Sequence, residues 1–223
     1  MKKLLTFALM LTGLAFAQQT GRVRVVHASP DAPAVDILVD GNMVIQALPY
    51  REYTEYLPVP VGTREIRVNV TGTETTVLRA NPNVMANTDY TAVAVGFAGG
   101  RQPALDLLLT VDDNTLPAAP QIKLRAIHAA ASAPSVDVYL TTPFEQIMNR
   151  QPGLANVPFK AVSPYITAMP LMYQLRVTPT GTKTVAINSG RLATWGLIIR
   201  TIIAVDAPGG GGPFDFLVLP DRN

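Results

Sequence analysis

Histidine is the side chain best suited to proton transfer and metal binding near neutral pH, and this sequence carries two, His27 and His128. Each stands nine residues before an aspartate, Asp36 and Asp137, across a proline-containing segment. If each segment were a hairpin, imidazole and carboxylate would lie roughly opposite, within reach of a hydrogen bond. Three chemistries follow. Such a pair could fix strand register, because buried polar groups must find partners. It could belong to a metal site, but one histidine and one or two acids per motif fall short of the usual three or four ligands, and the chain has no cysteine to complete a zinc site. Ser29 would add a nucleophile for a hydrolase triad with His27 and Asp36. Against that reading, no Gly-x-Ser-x-Gly elbow occurs, and Ala130 stands where Ser29 would recur. The structural role is the expected one, so no catalytic, cofactor-binding or metal-binding residue and no cofactor is assigned.

The other candidates are thinner. Asp112, Asp113 and Asn114 offer hard oxygen ligands for calcium but lack the alternating ladder of a calcium loop, so a solvated corner is expected. The glycine run 209–212 is followed by Pro213 and Phe214 rather than the lysine and hydroxyl of a phosphate loop. Asn69-Val70-Thr71 has the form of a glycosylation sequon. Tyr50, Tyr53 and Tyr56 fall at spacing three, which on a strand puts Tyr50 and Tyr56 on one face and Tyr53 on the other. Tyr56 and its counterpart Tyr165 read as core or corner tyrosines, whereas an exposed Tyr50 or Tyr53 could stack on a sugar or a partner.

The elements that position these residues come twice. RVVHASPDAPAVDILV at 24–39 and RAIHAAASAPSVDVYL at 125–140 share seven identities in sixteen at a constant shift of 101. Beyond Leu140 the shift becomes 109, pairing Arg51 with Lys160, Tyr56 with Tyr165, Thr71-Gly72-Thr73 with Thr180-Gly181-Thr182, and Asp106 with Asp215. An eight-residue insertion therefore lies between Leu140 and Val157. Apolar residues alternate at period two, as in Val35, Ile37 and Val39, and turn residues interrupt about every ten positions. This pattern predicts an all-β chain of two tandem immunoglobulin-like sandwiches over 18–114 and 121–223, joined by a linker at 115–120. One short helix is expected in the insertion, at 142–150, where Thr142-Pro143-Phe144-Glu145 has capping-box spacing.

Lys2 and Lys3 precede an apolar run that ends in Ala15-Phe16-Ala17, which reads as a secretory signal peptide over 1–17. Without Lys2 and Lys3 the chain has 16 cationic against 16 acidic residues, with no clustered basic face for nucleic acid. The later apolar stretch 197–205 contains Arg200 and is too short for a membrane helix, so no integral membrane segment is expected after signal removal.

VRVVHASPDAPAVDILVDG, followed by YLPVPVGTREIRV with its Tyr56 and Gly62, resembles domain-of-unknown-function family 4397. The resemblance covers both repeats and implies secreted or cell-surface proteins of tandem β-sandwiches without an established catalytic activity. The second repeat departs from the pattern: Leu171 stands at the place of Gly62, and Ala130-Ala131-Ser132 replaces Ser29-Pro30-Asp31. The expectation is a non-enzymatic protein in the periplasm, on the cell surface or secreted. Its partners would be itself or other cell-envelope components, in a structural or adhesion role. The alternative is a module that binds carbohydrate or another small ligand.

Overall fold

The computed structural model describes residues 19–222, and the signal peptide expected over 1–17 lies outside them. The described residues form strands and turns with no helix, so none is long and apolar enough to cross a membrane. The N-terminal half holds β1 (Thr20–Ala28), β2 (Val35–Val39), β3 (Asn42–Leu48), β4 (Leu57–Pro60), β5 (Gly62–Thr63), β6 (Ile66–Val70), β7 (Thr76–Ala80), β8 (Asn83–Val84), β9 (Asp89–Val95) and β10 (Asp106–Asp112). The C-terminal half holds β11 (Ile122–His128), β12 (Val136–Thr141), β13 (Leu154–Val157), β14 (Ile166–Ala168), β15 (Met172–Pro179), β16 (Ile187–Asn188), β17 (Leu192–Ala193), β18 (Ile199–Val205) and β19 (Asp215–Arg222).

The two halves repeat one pairing scheme. Sheet β10-β9-β1-β4 faces β3-β2-β6-β7 in the first, and β14-β11-β18-β19 faces β13-β12-β15-β16 in the second. In each half the first strand runs parallel to the penultimate one: Val26 lies opposite Val93, and Ile127 opposite Ile203. The β2–β3 hairpin turns on Asp40 and Gly41, both at positive φ, which the tight two-residue turn requires and which an Asp-Gly pair supplies at low cost.

Strands β1 and β9 are buried on both faces. Val23, Tyr90 and Ala92 point into their own half, while Val26, Ala28, Val93 and Val95 meet Ile127, Ala129, Ile203, Val205 and Leu219 of the other. Sheet therefore stacks on sheet in four layers, with a shared core in the middle. The halves before and after the 115–120 segment share apolar core residues. The apolar residues are distributed on both sides of the central strands, and packing the halves face to face is what removes the second side from water.

The helix expected at 142–150 does not form. Glu145 reaches back to accept from the Thr142 amide at 3.2 Å, as a capping box would, but Phe144 has φ of 69°, which a right-handed helix cannot contain. The Glu145 carbonyl accepts from Arg176 Nη1 at 2.9 Å rather than from a following turn, and Ile147 is drawn into burial. One cap over nine residues does not offset the cost of helix nucleation.

Candidate functional site

The histidine motifs are arranged differently from the hairpin expectation. β1 and β2 belong to opposite sheets, so the intervening turn crosses the sandwich and separates His27 from Asp36. His27 Nε2 bonds the Pro33 carbonyl at 3.0 Å, and His128 Nε2 bonds the Pro134 carbonyl at 3.1 Å. The aspartates serve other loops. Asp36 accepts from the amides of Ala47 and Gly72 at 2.8 and 3.0 Å, and Asp137 from those of Asn156 and Gly181 at 2.8 and 2.9 Å. Ser29 is fully buried, so Ser29, His27 and Asp36 neither join nor face solvent. Both motifs tie a turn to the neighbouring strands.

Burial pushes both imidazoles below their ordinary value, with the carbonyl bonds opposing it. The amides of Ala47 and Gly72 hold the Asp36 carboxyl low. Lys123 holds Asp113 low, at about 2. All these groups bind protons more readily when unfolded, so each contributes stability that is present above its unfolded value and lost as pH falls. Urea midpoints are expected to fall below about pH 6.5 and more steeply below about pH 4. An unchanged midpoint from pH 7 to pH 4 would contradict the arrangement.

Asp112 is not part of a solvated corner. It lies in a buried polar cluster between the halves that reads the same from either side. Arg24 donates to Asp221 and Arg125 donates to Asp112, each at 2.6 Å, with all four side chains at most 2% exposed. Tyr56 and Thr91 donate to Asp112 Oδ2, and Tyr165 and Thr201 to Asp221 Oδ2, each at 2.6 Å. Burial, and then the adjacent carboxylate, push both tyrosine hydroxyls up, so they remain donors. The guanidinium of Arg24 lies over Tyr56 and that of Arg125 over Tyr165. At the rim, Arg51 pairs with Asp215 and Lys160 with Asp106. The ion pairs Arg24–Asp221 and Arg125–Asp112, and Arg51–Asp215 and Lys160–Asp106, join aligned positions of the two repeats crosswise, which makes the contact a pseudo-twofold interface. Tyr50 and Tyr53 also work here: the Tyr50 hydroxyl donates to the Asp206 carbonyl at 2.8 Å and Tyr53 packs on the shared core, so neither is a free stacking platform.

An apolar cavity lies apart from this cluster. Between the sheets of the N-terminal half is a cavity of about 210 Å³, lined by Val25, Ile37, Ile45, Ile66, Val68 and Ala92 among other apolar residues. Asp40 and Asn42 are the polar residues on its wall beside His27, and Arg64 donates to Asp40 and holds that carboxyl low. Prolines 58 and 60 of edge strand β4 also line it, and their nitrogens carry no hydrogen to pair or hydrate. The matching space in the C-terminal half is about 70 Å³. Ile202 stands there where Ala92 stands in the first half, each opposite the aligned β1 or β11 residue, Val25 or Ala126. Leu140 stands at the place of Val39. The sequence signal for this difference was the size change at aligned core positions; the charged pairs were visible as aligned identities whose crosswise meeting was not.

A family model described as "Domain of unknown function (DUF4397)" matches residues 21–139. No curated protein matches the chain. Among solved structures, a carbohydrate-binding module, CBMbc of family CBM26 from Eubacterium rectale Amy13K in complex with maltoheptaose, is 11% identical at a TM-score of 0.30, covering 92% of this chain and 98% of that one. A streptococcal virulence factor described by its alpha-glucan binding is 11% identical at 0.24, covering 82% and 92%. Likeness at this level does not extend to binding residues.

Proposed function

The chain belongs to the DUF4397 family, and we propose that it is a non-enzymatic, extracytoplasmic binding module that holds a small apolar ligand between the sheets of its N-terminal half. The observation that carries this reading is the asymmetry of the repeats: one pairing scheme keeps a single space of about 210 Å³ open in the first half and leaves separate spaces of about 70, 30 and 20 Å³ in the second. An apolar cavity of roughly 150 Å³ stays dry and accepts a benzene-sized guest, so the larger one suits a short aliphatic or single-ring ligand. Asp40 favours a neutral ligand over a carboxylate.

The test uses the fold's own filler. With 1-hexanol at about a hundred times its dissociation constant, the wild type should melt roughly 5–10 °C higher. Ala92→Ile, which copies the residue of the second half, should fold and lose that shift. An equal shift in both proteins would sink the assignment. A second reading, an envelope structural or adhesion element, is favoured by the shared core, which fixes the two halves as one body.

A further inference from the structure

Between Glu145 and Asp206 the chain contains no acidic residue and six cations, Arg150, Lys160, Arg176, Lys183, Arg191 and Arg200. Arg150 pairs with Glu145 and Lys160 with Asp106. Lys183 donates to neutral oxygens, the Tyr139 hydroxyl and the Arg150 carbonyl, and Arg191 lies over the Phe144 ring at 4.9 Å. Among the described residues neither Lys183 nor Arg191 is within ion-pair distance of a carboxylate, so this part of the surface keeps uncancelled positive charge.

The same surface is apolar. The insertion, which the first half lacks, presents Phe144 at 76% exposure and Met148 at 65%. Beside Phe144 the β17 segment alternates, exposing Arg191, Ala193 and Trp195 while Leu192 and Thr194 are half-buried. Ala193 pairs with Met172, which is also exposed, and Thr194 bonds Leu171, exposed in turn. Met172, opposite Ala193, thus shares the face that exposes Arg191 and Trp195, and Phe144 joins that face through its contact with Arg191. A soluble anion would engage the charges and leave these side chains in water. A surface of aromatic and Met side chains with cations in excess, whose one acid, Glu145, is paired with Arg150, is complementary to an anionic bilayer, where the rings enter the headgroup region and the cations meet phosphates.

We propose that this face of the C-terminal half, centred on Phe144, Arg191 and Trp195, docks the protein on an anionic membrane surface. The site is separate from the cavity. Trp195 is the single tryptophan of the chain and serves as a built-in reporter.

The experiment sediments the full mature chain with vesicles of phosphatidylcholine alone, or of two parts phosphatidylcholine to one part phosphatidylglycerol, while Trp195 emission is recorded. Binding is expected only to the mixed vesicles, with a blue shift of emission. Arg191→Gln should weaken it about fivefold, the effect of one basic residue near a charged surface. Phe144→Ser should weaken it as well. Ala92→Ile should leave it unchanged, so failure of the cavity reading and failure of this one can be told apart. No binding to the mixed vesicles, equal binding to both kinds, or binding that Arg191→Gln and Phe144→Ser leave intact would overturn the proposal.

Discussion

Replacing Arg24 by methionine is expected to cost about 3–5 kcal/mol of unfolding free energy, because it leaves a buried carboxylate without its cation. The Asp221 side chain is fully buried and would retain the hydroxyls of Tyr165 and Thr201 and the attraction of the Arg200 charge. Asp112, 3.8 Å from the same guanidinium, would lose a second attraction, although Arg125 still bonds it. Methionine keeps the stem's packing, so the loss reports charge rather than volume. Urea denaturation of Arg24→Met and of its counterpart Arg125→Met should give similar costs, because the interface is pseudo-twofold. A cost below about 1 kcal/mol, the range of an exposed pair, would contradict the buried network.

Ile203→Ala is expected to cost about 2–5 kcal/mol as a fully buried large-to-small change. It also tests cooperativity. Ile203 packs with Val26, Val93 and Val95 of the other half, so its loss should lower one transition that melts both halves together. Two separate transitions, of which only the C-terminal one moves, would show that the halves are energetically independent.

The strand pattern and the repeat were legible because alternation and turn residues are local signals, and the same pairing scheme stands in both halves. The four-layer stack was less legible, although its mark was present. The run 197–205, conspicuous only as too short to span a membrane, is apolar on both faces because β18 packs against its own half through Ile202 and against the other through Ile203. Arg24 and Asp112 were visible as residues, but only the fold turns Arg24 towards Asp221 across nearly the whole chain. The helix at 142–150 failed because a capping motif specifies a start, while Phe144 and the Arg176 bond decide the path that follows. His27 was expected to bond Asp36 and fix strand register; its partner is instead the Pro33 carbonyl, a backbone group that no side-chain motif reveals.

Methyl NMR of the mature protein titrated with 1-hexanol tests the central claim most directly, since it reports the site residue by residue. Saturable shifts are expected only at the N-terminal cavity, at Val25, Ile37, Ile45 and Ile66, with Leu140, Leu154 and Ile202 of the smaller counterpart unmoved. Shifts of equal size in both halves, or none at Val25 and Ile66 up to the solubility limit of the alcohol, would contradict that claim.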